Sequence, residues 1–323
     1  WVNFTWFASA YDTDDVPYRI TTMVIITGAL ILAAGVPRAF DRGDLVVLVI
    51  GYVIMRLAMV TQWLRASVSD PPRRVTALRF AAGITLVQLA WVARLWIPDY
   101  LTVPSFLFLV LCELAVPVIA ERAANTTWHP THIAERYGLF TLIVLGESVL
   151  ASTTAVQAGF DVGGERGLLL SLSVSALVIV FAMWWVYFDQ PREEVLTNAS
   201  SGFLFGYGHY VVFTSAAAVG AGISVKVDTI LGIGHLSPRG AAFAVAIPVA
   251  SFIVSVWFVH RPKRPRPGEA ARDISFLVAA LLILAAPFGP EPLALVAVIL
   301  VALVIVITSV KLRRPDAENA QLP

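Results

Sequence analysis

The sequence predicts an all-α integral membrane protein, a polytopic helical bundle with about ten visible spans. Hydrophobic residues make up 58% of its 323 residues and charged residues only 14%, and the mean hydropathy is +0.78. Soluble domains carry about 25% charged residues, so this composition excludes an ordinary soluble protein. Long apolar runs also recur between short segments rich in Pro, Gly and charge, which is the pattern of repeated membrane crossings.

The individual spans follow from length, because about 20 helical residues cover the roughly 30 Å hydrocarbon core. Residues 1–10 are expected to be the exit end of an earlier span whose beginning lies outside this sequence. Ten spans are then predicted at residues 20–36, 45–64, 75–97, 101–120, 133–157, 168–188, 202–225, 240–260, 274–288 and 293–310. Only Pro and Gly residues around position 290 divide the last two, which could instead form one re-entrant hairpin.

Positive charge is distributed unevenly between the two predicted membrane surfaces. Of the 23 Lys and Arg residues, fifteen fall on one side and six on the other, while Arg56 and Arg79 lie inside spans. Because cytoplasmic loops carry the excess of Lys and Arg, the richer side is predicted to face the cytoplasm. The observed N- and C-terminal segments both fall on that side.

Three segments resemble one known family. They are WVNFTWFASAYDTDD at the start, HIAERYGLFTLIVLGE at 132–147 and WWVYFD at 184–189. Together they resemble the bacterial low-temperature-requirement A family over essentially the whole chain. The resemblance implies a multi-pass protein of the bacterial inner (plasma) membrane, named for a growth phenotype, whose biochemical activity is not established. Family members usually begin with an extra span carrying an ELFFDLVFVFA-like stretch, so we expect an N-terminally truncated sequence.

The resemblance also suggests an internal duplication within a single membrane domain, residues 1–323. The aromatic run ending at Asp189 echoes the one ending near Asp12. Half-repeats at 1–121 and 132–310, followed by a cytosolic tail at 311–323, would form two parallel six-span repeats with the same orientation. Aromatic belts near helix ends also generate such echoes, and that alternative stays open.

Four ionisable residues, Arg56, Glu113, Glu147 and His209, fall at overlapping depths inside predicted spans. A charge at mid-membrane costs about 2.5–3.5 kcal/mol on insertion scales, so these residues need partners or a purpose. We expect an interior polar cluster in which Arg56 holds one carboxylate, while the other carboxylate and His209 exchange a proton. The alternative is polar contact between helices with no turnover, each contact worth about 0.6–2 kcal/mol.

A second constellation, His132, Glu135 and Arg136, lies at the cytosolic start of a helix, where its members share one face. It is interpreted as an interfacial anchor or a gate, because no second pair of metal ligands accompanies it. Asp12, Asp14 and Asp15 form an acidic loop that is expected to meet cytosolic arginines. No glycine is placed to make a calcium loop, so no metal is predicted.

Motifs for other chemistry are missing from the sequence. It contains no Walker A, dinucleotide, HEXXH or GXSXG motif, and a net charge of +1 does not indicate a nucleic-acid partner. We therefore predict a secondary transporter or permease for a small solute or ion, with the lipid bilayer as its surroundings and no cofactor. The alternatives are a lipid-modifying transferase that uses His132 and Glu135, or a non-catalytic membrane protein in cold or envelope adaptation.

Overall fold

The computed structural model describes residues 1–161, 163, 165–189, 195–196, 198–261 and 269–312. Within these residues the chain forms α-helices and short 3-10 turns, without β-strands. The helices are α1 (Val2–Tyr11), α2 (Val16–Arg42), α3 (Val46–Ser69), α4 (Arg74–Ala93), α5 (Thr102–Glu121), α6 (Pro130–Asp161), α7 (Arg166–Phe188), α8 (Ala199–Ile230), α9 (Pro238–Val259), α10 (Glu269–Ala285) and α11 (Pro292–Leu312).

The predicted fold class, an all-α polytopic bundle, is confirmed. Ten helices among the described residues, α2 to α11, are long and apolar enough to cross a membrane. Helices α10 and α11 are separate, each with an apolar segment of 19 residues, so both have the length of a full span. Helices α6 and α8 reach 32 residues each, longer than predicted, because their helical backbone continues past the apolar run into polar sequence.

The chain divides into two compact units, Trp1–Ile133 (unit 1) and Ala134–Pro323 (unit 2). The division falls close to residue 132, where the second half-repeat proposed from the sequence begins. The duplication itself stays a prediction, and most of the proposed cytosolic tail lies outside the described residues.

In unit 1, helices α2 and α3 pack backbone to backbone through glycines. A Cβ on Gly28 would lie 2.8 Å from the Gly51 carbonyl oxygen, and a Cβ on Gly51 would lie 2.6 Å from the Gly28 carbonyl oxygen. Glycine permits this approach because it has no side chain. Helices α3 and α4 pack through Trp63 and Phe80, whose rings stack at 4.0 Å with an interplanar angle of 4°. Helix α3 is therefore fixed between α2 and α4.

In unit 2, α8 lies against α9, and its small residues again allow close packing. Gly222 meets the backbone of Ala244 on α9. On another side of α8, the Ser148 hydroxyl of α6 donates a hydrogen bond of 2.8 Å to the Ala216 carbonyl. A serine bonded to a neighbouring helix supplies a polar link between spans in a place where water is absent. Helices α7 and α11 pack together, as do α9 and α10.

Candidate functional site

Two of the four predicted residues, Arg56 of α3 and Glu113 of α5, form an ion pair inside unit 1. Their side chains are only 11% and 13% exposed. Tyr52, one turn before Arg56, donates a hydrogen bond of 2.7 Å to Oε1 of Glu113 and accepts one of 2.5 Å from Nη2 of Arg56. The guanidinium also lies 4.8 Å from the centre of the Tyr52 ring. The three side chains thus form a closed network in which each contacts the other two.

Two polar groups on α4, Gln88 and Trp91, lie at the level of this network along the helix axes. Both amide atoms of Gln88 and the indole N–H of Trp91 are buried and make no hydrogen bond to the described part of the chain. Helices α3 and α4 run antiparallel, because Trp63 stacks on Phe80 while the ring centres of Tyr52 and Trp91 lie 6.1 Å apart. These two contacts fix which residues of α4 lie level with which residues of α3. In that register Gln88 lies level with Arg56.

Contacts between α4 and α5 likewise give the level of Glu113 relative to Gln88. Gly83 faces Val116, and Trp91 meets Phe106 with ring centres 5.6 Å apart, so Glu113 lies within about a turn of the level of Gln88. A buried amide without a hydrogen-bond partner costs about 1–3 kcal/mol. Gln88 is therefore a side chain of unit 1 that a polar ligand could satisfy, with both a donor and an acceptor to offer. Sequence reasoning missed it, because an uncharged amide does not stand out among apolar residues.

Arg94, near the end of α4, is a buried cation with a structural role. Its Nη2 donates to the Thr102 carbonyl at 2.9 Å, and its Nε donates to the Ser105 hydroxyl at 3.2 Å. These bonds join the end of α4 to the start of α5. They set the pairing of the two helices and thus the position of Glu113 relative to α4.

His209, the third predicted residue, is fully buried in unit 2. Its Nδ1 lies 2.7 Å from the Phe205 carbonyl, which can only accept, so Nδ1 carries a hydrogen. Its Nε2 lies 3.0 Å from the hydroxyl of Tyr187. In the neutral ring Nε2 accepts from the tyrosine, and in the charged ring it donates to it. The same pair of atoms therefore serves both protonation states.

A second histidine, His260, completes this buried aromatic group. Its ring centre lies 5.6 Å from that of His209 and 5.4 Å from that of Tyr187. Its Nδ1 donates to the Val256 carbonyl at 2.9 Å, since a carbonyl oxygen can only accept. Tyr137 lies against the other side of His209, with ring centres 4.8 Å apart. Sequence reasoning treated His260 only as the end of a span, because the packing that buries it comes from distant helices.

Glu147, the fourth predicted residue, lies on an exposed face of α6. No hydrogen bond or ion pair joins it to another residue in the described ranges. The structure thus brings Arg56 and Glu113 together in unit 1, and it surrounds His209 with Tyr187 and His260 in unit 2.

The boundary constellation begins α6. His132 and Glu135 are exposed there, and Arg136 is half-buried. The rings of His129 and His132 lie 5.2 Å apart. Among the described residues no three His, Cys, Asp or Glu side chains are grouped so that they could hold a metal ion.

The acidic loop meets arginines of unit 1. Asp14 pairs with Arg19 at 3.0 Å, and the hydrogen bond from Arg19 lowers the pKa of the Asp14 carboxyl. Asp15 accepts a hydrogen bond of 2.8 Å from the Tyr18 backbone N–H, which caps α2 and lowers the pKa of its carboxyl. It also pairs with Arg65 at 2.5 Å. Asp12, at the end of α1, is exposed. This loop connects the end of α1 to the start of α2, and its ion pair with Arg65 links it to α3.

Comparison with known protein families identifies the family of this chain. The family model described as bacterial low temperature requirement A protein (LtrA) matches residues 1–310. The chain belongs to the LtrA family. The LtrA match includes the networks of both units. An uncharacterized protein of Rhizobium meliloti (strain 1021) is 24% identical over 301 residues, covering 87% of this chain and 71% of the relative. No solved structure matches the chain significantly.

Proposed function

We propose that this protein is a secondary transporter, and that the network of Arg56, Glu113 and Tyr52 together with Gln88 holds a small anionic solute. The observation that carries the proposal is the buried, unsatisfied amide of Gln88 level with a buried ion pair. An ionisable residue inside the membrane is by default a candidate member of a substrate or ion pathway. Arginine suits this role because its charge is permanent and its planar fork matches a carboxylate.

The ion pair offers a way to couple the binding of a solute to the binding of a proton. One guanidinium can balance one carboxylate, so an anionic solute that binds Arg56 competes with Glu113. The displaced Glu113 carboxylate then takes up a proton, and Tyr52 changes from donor to acceptor at that oxygen. Binding of the anion and of the proton would favour each other, as linkage requires. Departure of the solute restores the ion pair and releases the proton.

Unit 2 contributes a second group suited to proton exchange. His209 and Tyr187 keep the same hydrogen-bonded pair of atoms whether the imidazole is neutral or charged. Histidine is the side chain that changes charge near neutral pH. His260 lies beside them at the end of α9, near a membrane surface. The proposal does not rely on Glu147, which lies on an exposed helix face.

We further propose that the protein lies in the bacterial inner membrane, with the loop at residues 12–15 in the cytoplasm, as the excess of Lys and Arg on that side favours. The loop between α2 and α3, which contains Gly43, would then face the periplasm. We expect Gly43→Cys in a Cys112→Ser background to react with a membrane-impermeant maleimide in intact cells, and Thr13→Cys to react only after lysis. The opposite labelling pattern would reverse the proposed orientation.

The transport proposal makes its sharpest prediction at Gln88. In proteoliposomes loaded with a pH-sensitive dye, we expect a gradient of succinate, lactate, glutamate or phosphate to drive proton movement. Gln88→Leu should slow that movement about tenfold or more, since a lost hydrogen bond to a charged solute is worth about 1.5–3 kcal/mol. The same substitution should raise the melting temperature of the empty protein, because it removes an unsatisfied buried amide.

Gln62→Leu is the matched control, because Gln62 is an equally buried amide whose bonds are made: it donates to Thr21 and accepts from Arg65. This control should lower the melting temperature and leave the solute response in place. Equal loss of response in both variants, or no proton movement with any of the four solutes, would count against the proposal. A lipid profile that depends on His132 would instead favour the transferase.

A further inference from the structure

A groove of about 390 Å³ lies between α6 and α7 in unit 2. Its volume falls in the range of about 300–1,000 Å³ typical of small-molecule sites. We propose that this groove binds an acyl chain of a membrane phospholipid. The inference is independent of the transport proposal, because none of the groove residues belongs to the two polar networks.

The groove offers an apolar surface to a ligand, although three of its residues carry hydroxyl groups. Ser152, Thr153 and Ser173 all face the groove, and their hydroxyls donate to carbonyls of their own helices, at 2.6, 2.9 and 2.6 Å. A hydroxyl bonded in this way has no hydrogen left to donate to a ligand. Valine, leucine, alanine and phenylalanine side chains complete most of the wall. Such a surface fits a hydrocarbon occupant.

The groove runs along the two spans rather than across them. On α6 it extends from Val149 to Phe160, which is about 16 Å at 1.5 Å per residue. On α7 it extends from Ser173 to Val180. Helix α6 ends at Asp161 and α7 begins at Arg166, and Gly159 faces Leu169, so the two helices are antiparallel and Val149 and Val180 mark the same, deeper end. The groove therefore leads from near one membrane surface toward mid-depth, as an acyl chain does.

Polar groups lie at the shallow end of the groove, where a bound phospholipid would have its headgroup. The exposed amide of Gln157 lies at the shallow end of the groove, one turn before the last residues of α6. Arg166, exposed at the first position of α7, lies at the adjoining surface and offers a cation to a phosphate. Asp161 and Glu165 are exposed on the same surface and complement the ammonium of a zwitterionic headgroup.

The surroundings favour lipid over other occupants. Thr153, Phe160 and Leu177 line the groove and are exposed, so it opens outward from the helix pair. Both helices are membrane spans, and the medium along them is hydrocarbon that contains no water. An open apolar groove in that medium is filled by the chains that surround it.

Two adjacent threonines provide the test. Thr153 and Thr154 are both exposed on α6, and both hydroxyls donate to the carbonyl four residues earlier at 2.9 Å, yet only Thr153 lines the groove. We expect Thr153→Trp to fill the groove and Thr154→Trp to leave it open. The full-length protein is purified in mild detergent, washed, and its retained phospholipid is counted by native mass spectrometry. The wild type and Thr154→Trp should retain about one lipid more than Thr153→Trp.

Val149→Trp, at the deeper end, is the second variant, and it should lower lipid retention in the same way even if Thr153→Trp folds poorly. Equal retention by all variants would overturn the proposal, and so would equal loss in both threonine variants, which indicates a general lipid shell. A Thr153→Trp change that shifts the protein from dimer to monomer with unchanged lipid would assign the groove to a second copy instead.

Discussion

Replacing Glu113 by Leu is expected to lower the free energy of unfolding by about 3–5 kcal/mol, because it leaves the buried Arg56 guanidinium without its carboxylate. Arg56 and Glu113 lie on different helices, and Tyr52 bonds to both. Removing the carboxylate therefore also takes away the acceptor of the Tyr52 hydroxyl. The effect is measured as the shift in the unfolding midpoint of the purified protein in mixed micelles of increasing denaturing detergent.

A second substitution separates an uncompensated charge from a simple loss of packing. Arg56→Met combined with Glu113→Leu removes both charges, and we expect it to recover most of the lost stability, because a buried pair and apolar side chains of similar size are nearly equivalent. Glu147→Leu is the matched control, since that carboxylate is exposed and makes no bond among the described residues. A double variant no more stable than Glu113→Leu alone would show that the carboxylate acts through packing.

The spans could be predicted because each depends on a local signal. A run of about 20 apolar residues is a property of one segment, and all ten such helices were located from the sequence. Helix ends were less accurate, and α6 and α8 continue past their apolar runs. The continuation depends on backbone hydrogen bonds and caps, such as the Asn198 cap of α8, rather than on hydropathy.

Depth along a span could be predicted, whereas the direction of a side chain could not. Counting residues from the span ends placed Arg56 and Glu113 at similar levels, and the structure pairs them. The same counting gave Glu147 a central depth, yet its side chain lies on an exposed face of α6. Helix rotation is set by neighbours, here by the Ser148 bond to α8, and a weakly amphipathic sequence does not encode it.

Neutral polar residues were the main omission. Gln88, Tyr52 and Tyr187 carry no formal charge, so a search for buried charges passes over them, although the two tyrosines hydrogen-bond within the networks and Gln88 lies level with one of them. A search for Gln and Tyr at span centres would have found the first two. His260 required tertiary structure, since only the packing of α7, α8 and α9 brings it beside His209.

Gly51→Ala is expected to lower the free energy of unfolding by about 1–3 kcal/mol or more, although alanine favours helix over glycine. An added Cβ would lie 2.6 Å from the Gly28 carbonyl oxygen and 2.7 Å from the Leu32 Cα, and both are backbone atoms of α2 that no side-chain rotation can move aside. The two helices must separate. Detergent unfolding of the purified protein measures the loss of stability. Arg56 lies on α3 and would move with that helix.

Gly146→Ala isolates the packing term, because Gly146 is also inside a spanning helix and a Cβ there meets no atom within 4 Å in the described structure. Its expected effect is a gain of about 0.5–1 kcal/mol, which comes from the backbone entropy that glycine loses on folding. Opposite signs for the two alanines would show that α2 and α3 are held at glycine distance. If both alanines stabilise the protein, α2 and α3 lie farther apart than the structure has them.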